Sequence, residues 1–329
     1  VSLRILVADK FEKSGIEGLK ALGCEVVSEP DAGADGIPAA VMRVRPHILV
    51  VRSTKVPAAS IEKCEGVAAI IRAGAGVDNI DVKAATAKGI KVCNCPGMNA
   101  VAVAELTMGL LIACDRRIVD QTILAREGKW NKKEFGKTGL GGARGLKGAT
   151  LGVIGAGAIG RAVVKRALAF DMRVIIWSRS ITQDHAQDLG AEWGGTDTAS
   201  LHALAAKCDA VTVHLPLGPD TKGLIGADFI AKLKPGAIVL NTSRGGVIDE
   251  AALREAMASK GLRAGLDVFS EQPSGTEGPW ESATAKLTSV TATHHSGAST
   301  NQSQEAIAGE VVRMVRVYQQ SGTIENAVN

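Results

Sequence analysis

Aromatic side chains are scarce in this 329-residue chain: one tyrosine, five phenylalanines and four tryptophans, 3% in all. Its cores must be built from Ala, Val, Ile and Leu, which suits strands buried on both faces of a parallel sheet. Also missing is a basic stripe interleaved with aromatics, the usual footprint of a nucleic-acid surface. The net charge of +4 is scattered, so the partner expected for any local positive site is a small anion rather than a nucleic acid. No apolar run reaches the roughly 20 residues that a membrane span needs, and no membrane partner is expected. The start, Val1-Ser2-Leu3-Arg4-Ile5-Leu6-Val7, enters a strand pattern without a charged leader or cleavage site. Six cysteines, most within apolar stretches, read as reduced core thiols of a cytoplasmic protein. Cys93 and Cys95 alternate onto one face of a strand and lack the further ligands that a metal site requires.

What is present is an ordinary globular composition, 46% apolar and 22% charged, at a length that fits two domains. Short apolar runs alternate with helical patterns from end to end, the signature of repeated strand–helix units. Strands are expected at Ile5–Ala8, Glu25–Ser28, Ile48–Val51, Ala69–Arg72 and Lys91–Asn94. A second series follows at Leu151–Ile154, Arg173–Trp177, Ala210–His214, Ala237–Asn241, Ala264–Val268 and Thr288–Ala292. Between the two series runs a long apolar helix, Asn99 to Asp120; another, from Thr300 to Gln320, closes the chain. The glycine-rich segment Lys129–Lys147 reads as an ordered loop or a partner-facing excursion.

One turn carries chemistry. Gly155-Ala156-Gly157-Ala158-Ile159-Gly160 leaves the strand Leu151–Ile154 and opens a helix, the context that a G-x-G-x-x-G turn needs to act on a dinucleotide. Gly155 would make the tight turn, and Gly157 would let the backbone approach a pyrophosphate. Gly160 would let helix and strand pack closely, with the N–H groups of Ala158 and Ile159 facing the phosphates. The next strand ends at Ser178-Arg179, where an NAD site places an acid for the ribose 2′-hydroxyl. Serine and arginine could instead bind and neutralise a 2′-phosphate. The expected cofactor is NAD or NADP, with NADP favoured.

Four further segments resemble the D-2-hydroxyacid dehydrogenase family and, with the glycine turn, cover nearly the whole chain. They are Arg72-Ala73-Gly74-Ala75-Gly76-Val77-Asp78-Asn79-Ile80-Asp81, and Asn94-Cys95-Pro96-Gly97-Met98-Asn99 with Ala104-Glu105-Leu106. The others are Asn241-Thr242-Ser243-Arg244-Gly245-Gly246-Val247-Ile248-Asp249-Glu250 and Thr293-His294-His295-Ser296-Gly297-Ala298-Ser299-Thr300. Within the family the phosphoglycerate dehydrogenases come nearest, through Val51-Arg52-Ser53-Thr54-Lys55-Val56 and the terminal Glu325–Asn329. The resemblance implies an α/β fold of two doubly wound, Rossmann-like parallel-sheet domains, the cofactor domain inserted into the substrate domain. The substrate domain would be 1–98 plus 293–329 and the cofactor domain 99–292, with the active site in the cleft between them. A homodimer or homotetramer is implied as well.

The resemblance also assigns roles. Arg244 would grip the substrate's carboxylate and carbonyl, a task suited to a planar guanidinium fork. His295 would exchange the proton of the carbinol oxygen, since imidazole titrates near neutrality; His294 stands where the family usually has proline. Backbone N–H groups at Gly74, Ala75 and Gly76 would hold the carboxylate. Asp267 would meet the nicotinamide carboxamide, with Leu215, Thr242, Ser243, Gly297 and Ala298 along the cofactor. The segment Asp267-Val268-Phe269-Ser270-Glu271-Gln272-Pro273 departs from the family pattern, placing Gln272 where a glutamate normally orients the histidine. An amide can orient an imidazole but gives it no charge. Arg52, Ser53 and Lys55 stand where phosphoglycerate dehydrogenases gather charge for a distal phosphate, and Trp130, Lys132 and Lys133 could add to it. The expected substrate is a small anionic 2-hydroxy or 2-oxo acid, 3-phosphoglycerate and its oxo form first, hydroxypyruvate or glyoxylate as the alternative. A reading from another class stays open: an NAD(H)-sensing, corepressor-like scaffold of the same fold.

Overall fold

The computed structural model describes residues 2–136, 142–273 and 277–329. The chain forms two compact units, Val1–Asn99 with Ser299–Asn329, and Ala100–Ala298. In the first unit, strands β1 (Arg4–Val7), β2 (Glu25–Ser28), β3 (Ile48–Val51), β4 (Ala69–Arg72) and β5 (Lys91–Cys93) make a parallel sheet in the order β2-β1-β3-β4-β5. The second holds β6 (Thr150–Ile154), β7 (Arg173–Trp177), β8 (Glu192–Trp193), β9 (Ala210–Val213), β10 (Ile238–Asn241), β11 (Arg263–Leu266) and β12 (Val290–Ala292). Their order is β12-β11-β10-β9-β6-β7-β8, again all parallel. Both orders reverse direction once, and ligands of such sheets bind outside the strands' carboxyl ends at that switch point.

Both faces of the inner strands are buried, as the apolar runs require. Along β1, Ile5 and Val7 enter one core layer while Leu6 and Ala8 enter the other. In β6 and β7, Leu151, Val153, Val174 and Ile176 face one layer; Ile154, Ile175 and Trp177 face the opposite one. Each such aliphatic side chain contributes about 1.5–3 kcal/mol by leaving water. Cys93 and Cys95 share one of these layers and are fully buried. Burial pushes their thiols up to about 11 and about 12, so both stay protonated at neutral pH. Among the described residues no helix is long and apolar enough to cross a membrane, and no cluster of three or more His, Cys, Asp or Glu could hold a metal ion.

Three local readings of the sequence change. The helix drawn from Asn99 to Asp120 is two helices, Ala100–Arg116 and Ile118–Arg126. Arg117 between them is left-handed (φ 49°, ψ 46°), and the carbonyls of Cys114 and Asp115 accept hydrogen bonds from the buried Arg263. The short edge strand β8 was not expected; both its residues are exposed, so it has no apolar signature. Residues Thr293–Ala298, drawn with the substrate domain, belong to the second unit. There the Thr293 N–H bonds Leu266 O and the His295 N–H bonds Asp267 O. The glycine-rich loop Lys129–Lys147 lies partly outside the described residues, at 137–141.

Candidate functional site

The glycine turn sits at the carboxyl end of β6, beside β9, at the switch point of the second sheet. Gly155 has φ 103°, and a Cβ there would overlap the carbonyl of His214. A Cβ on Gly160 would overlap the Gly155 carbonyl, so the helix Ala158–Ala169 can lie on the turn only with glycine at that position. Gly157 is different. It caps this helix without a side-chain hydrogen bond, and nothing lies within 4 Å of where its Cβ would be. An uncapped helix start facing open space fits the diphosphate of a dinucleotide. His214, the residue after β9, is kept neutral: burial pushes it down to about 3, and its Nε2 lies 2.9 Å from the Thr212 hydroxyl.

At the end of β7, Ser178 is buried, its hydroxyl 3.2 Å from that of Ser180. Arg179 is exposed and pairs with Asp220, on the loop after β9, at 3.2 Å. Leu215 packs beside Gly155.

The loops after β10, β11 and β12 interlock. Asn241 ends β10, and its side chain fixes the next turn: Oδ1 accepts from the Ser243 N–H and hydroxyl, while Nδ2 donates to Arg244 O. Thr242 bonds Thr107 at 2.9 Å, out of solvent. The half-buried Arg244 donates through Nη1 to Ser243 O. Next to it, Gly245 has no room for a Cβ because the backbone of Phe269 and Ser270 runs against it. That close approach brings the loop bearing Gln272 alongside the loop bearing Arg244.

Asp267, 1% exposed, clamps the third loop. Its Oδ1 accepts from the Thr293 hydroxyl and the Ser296 N–H, its Oδ2 from the Gly297 N–H. Within this clamp His295 adopts φ 50°, a left-handed conformation rare for a residue with a side chain. Its Nδ1 lies 2.7 Å from Gln272 Nε2, while Gln272 Oε1 accepts the Phe269 N–H at 3.1 Å. An amide nitrogen only donates, so His295 Nδ1 is the acceptor and the ring proton of the neutral imidazole sits on Nε2. His294 does not share this arrangement; it packs edge-on against Trp280.

The first unit gathers the other named residues. Gly74 has φ 149°, and the Arg72 guanidinium fills the space where its Cβ would be. The Gly74 N–H is already taken by Arg72 O, and the carbonyls of Gly74 and Ala75 accept from the Cys95 N–H and the Asn94 side chain. Of the three N–H groups expected to hold a carboxylate, those of Ala75 and Gly76 are therefore the ones left. Arg52 and Ser53 lie on a loop whose N–H groups, with that of Thr54, all donate to the Asp9 carboxylate at 2.7–3.0 Å. Sequence reasoning missed Asp9, Asp220, the Arg72 side chain and the Phe269 N–H. Arg72, which opens the glycine motif, was the one with a signal.

Residues 108–297 match the model of the D-isomer specific 2-hydroxyacid dehydrogenase, NAD binding domain. A D-3-phosphoglycerate dehydrogenase of Methanocaldococcus jannaschii is 40% identical over 99% of this chain, which spans 59% of that relative's length. A hydroxypyruvate reductase of Thermotoga maritima is 44% identical over 84% of this chain and 86% of its own. The solved NADPH-dependent glyoxylate/hydroxypyruvate reductase of Sinorhizobium meliloti, in complex with NADP and malonate, is 26% identical with a TM-score of 0.80. It is matched over 100% of this chain and 97% of its own. With its glycine turn, the Asp267 clamp and the Gln272–His295 pair on one sheet, the chain belongs to the D-isomer specific 2-hydroxyacid dehydrogenase family.

Proposed function

We propose that this chain is an NAD(P)-dependent dehydrogenase that interconverts a small D-2-hydroxy acid and its 2-oxo acid. The observation that carries the reading is His295, held by Gln272 and Asp267 on loops that also fix Arg244, in the same unit as an open dinucleotide turn. A bound nicotinamide would take the hydride from C2 of the hydroxy acid or return it to the oxo acid. Arg244 orients the substrate through its carboxylate and carbonyl oxygens. His295 accepts the hydroxyl proton in oxidation and supplies it in reduction. Gly155, Gly157 and Gly160, with the N–H groups of Ala158 and Ile159, hold the diphosphate; Leu215, Thr242, Ser243, Gly297 and Ala298 line the cofactor. Asp267 acts first through the turn it clamps. Its remaining lone pairs can meet a carboxamide.

The substrate proposed first is 3-phosphoglycerate or its oxo form. Arg52 and Lys55 would meet the distal phosphate, and the N–H groups of Ala75 and Gly76 the carboxylate. A second reading, hydroxypyruvate or glyoxylate, draws on Asp9, which already occupies the backbone amides beside Arg52. The test is turnover of these acids with both cofactors, in the wild type and in Arg52→Ala. A phosphate-using enzyme shows a KM for the phosphorylated acid raised about tenfold or more by the substitution, as expected for loss of a charge-assisted contact, and an unchanged KM for glyoxylate. Equal effects on both select the second reading, and no turnover of any acid returns the chain to the scaffold class.

A homodimer or homotetramer is part of this proposal. The helix Ile118–Arg126 buries none of its residues, and Ile118, Val119, Ile123 and Trp130 are exposed. An apolar face of this kind on a short helix is suited to a second copy of the chain.

A further inference from the structure

The sequence lacks an acid at the end of β7, where a dinucleotide site that accepts NAD usually offers a carboxylate to the ribose 2′-hydroxyl. The fold brings one there from elsewhere. β7 and β9 flank β6 in the sheet, and the glycine turn leaves β6 between them. Strands are spaced about 4.8 Å apart, so the ends of β7 and β9 lie about 10 Å from each other. Arg179 and Asp220 close this gap with an ion pair of 3.2 Å, a strap over the carboxyl end of β6. Asp220 is presented by a firm turn: the buried Thr221 accepts the Gly218 N–H at 2.8 Å and donates to Pro216 O at 2.6 Å. Both charged side chains are themselves largely exposed, at 58% and 76%. Such a pair contributes little to stability and opens readily to a ligand.

We propose that Asp220 is the cofactor-specificity determinant of this site, standing in for the missing acid and contending with a 2′-phosphate for Arg179. This rests on the reading that Ser178 and Arg179 meet the ribose of the cofactor. With NAD(H), the strap stays closed and the carboxylate accepts a ribose hydroxyl. With NADP(H), the 2′-phosphate needs the same guanidinium. A doubly charged phosphate beside a carboxylate is repelled, so the strap must open and Asp220 turn to solvent. Arg179 draws the phosphorylated cofactor in and Asp220 holds it off; the balance between them sets the preference.

The experiment is fluorescence titration of the chain with NADH and NADPH, for wild type, Asp220→Asn and Arg179→Ala, each checked for an unchanged Tm. Asp220→Asn keeps the shape and removes the charge. It is expected to tighten NADPH relative to NADH by about tenfold, the scale of one charge-assisted contact, and the gain should shrink at high salt. Arg179→Ala should weaken NADPH and leave NADH nearly unchanged. An unaltered NADPH-to-NADH ratio in Asp220→Asn overturns the proposal. If Arg179→Ala still loses NADPH in that case, the ribose assignment survives alone. If both variants keep the wild-type ratio, that assignment falls as well.

Discussion

Gly157 and Gly74 each lie in a glycine-rich turn that follows a parallel strand, one in each unit, yet the space beside them differs. At Gly157 a Cβ would meet nothing, and the helix behind it begins without a side-chain cap. At Gly74 the corresponding space holds the guanidinium of Arg72. The first turn offers an anion oriented backbone amides and a helix dipole, both fixed by the fold. At the second the space is filled by a side-chain cation beside the amides of Ala75 and Gly76. Backbone recognition suits a ligand part that never varies, such as a diphosphate. A side-chain cation suits substrates that differ between relatives of one fold, because a single substitution retunes it.

The sharpest way to test this division is to remove chemistry from the second unit. His295→Ala or Arg244→Ala should lower kcat/KM by about 10²- to 10⁴-fold while the dinucleotide still binds with near wild-type affinity. Near-normal turnover in the His295 variant would break the assignment of chemistry to these loops. Next in size is a pair of glycine substitutions within one turn. Gly160→Ala forces a Cβ into the Gly155 carbonyl and should cost about 3 kcal/mol or more of stability, read by thermal unfolding. Gly157→Ala meets no atom, so its Tm should hold, while its methyl group intrudes on the diphosphate and raises the dinucleotide Kd by about tenfold or more. Loss of stability in both, with no separate binding defect, would erase the contrast with Gly74.

The smallest effect expected is at Gln272. Replacing it with glutamate places a carboxylate against His295 Nδ1, which favours the doubly protonated ring. Oxidation of the hydroxy acid needs the ring deprotonated, so its kcat–pH profile in Gln272→Glu should move to higher pH. Reduction needs the protonated ring and should keep its rate further into the alkaline range than in the wild type. Superimposable profiles would mean that position 272 does not govern the histidine's charge.

The fold was legible because its inner strands are short apolar runs buried on both faces, and the runs along β1, β6 and β7 are visible in the letters alone. Glu192–Trp193 escaped because an exposed two-residue edge has no such pattern. The break at Arg117 escaped because nothing local marks it; what accompanies it is tertiary, Arg263 from far along the chain bonding the carbonyls of the preceding turn. Arg244, His295 and Gln272 were found because each sits in a long local motif. Asp220 could not be, since what singles it out is contact with a residue 41 positions away. Nor could the Phe269 N–H, a backbone group common to every residue but proline, whose hydrogen bond settles which end of the Gln272 amide faces the imidazole.

Asp9 gives the first unit a further property. By taking the amides of Arg52, Ser53 and Thr54, its carboxylate leaves that loop without the directional donors that elsewhere cradle a phosphate. A distal anion at this loop would then rely on side chains such as Arg52 and Lys55, with the Asp9 carboxylate behind them. Attraction of that kind acts at a distance and is screened over about 8 Å at physiological ionic strength. On the proposed reading, ionic strength would therefore act unequally on the two ligands, loosening a distal phosphate at this loop while a dinucleotide held by backbone amides stays in place.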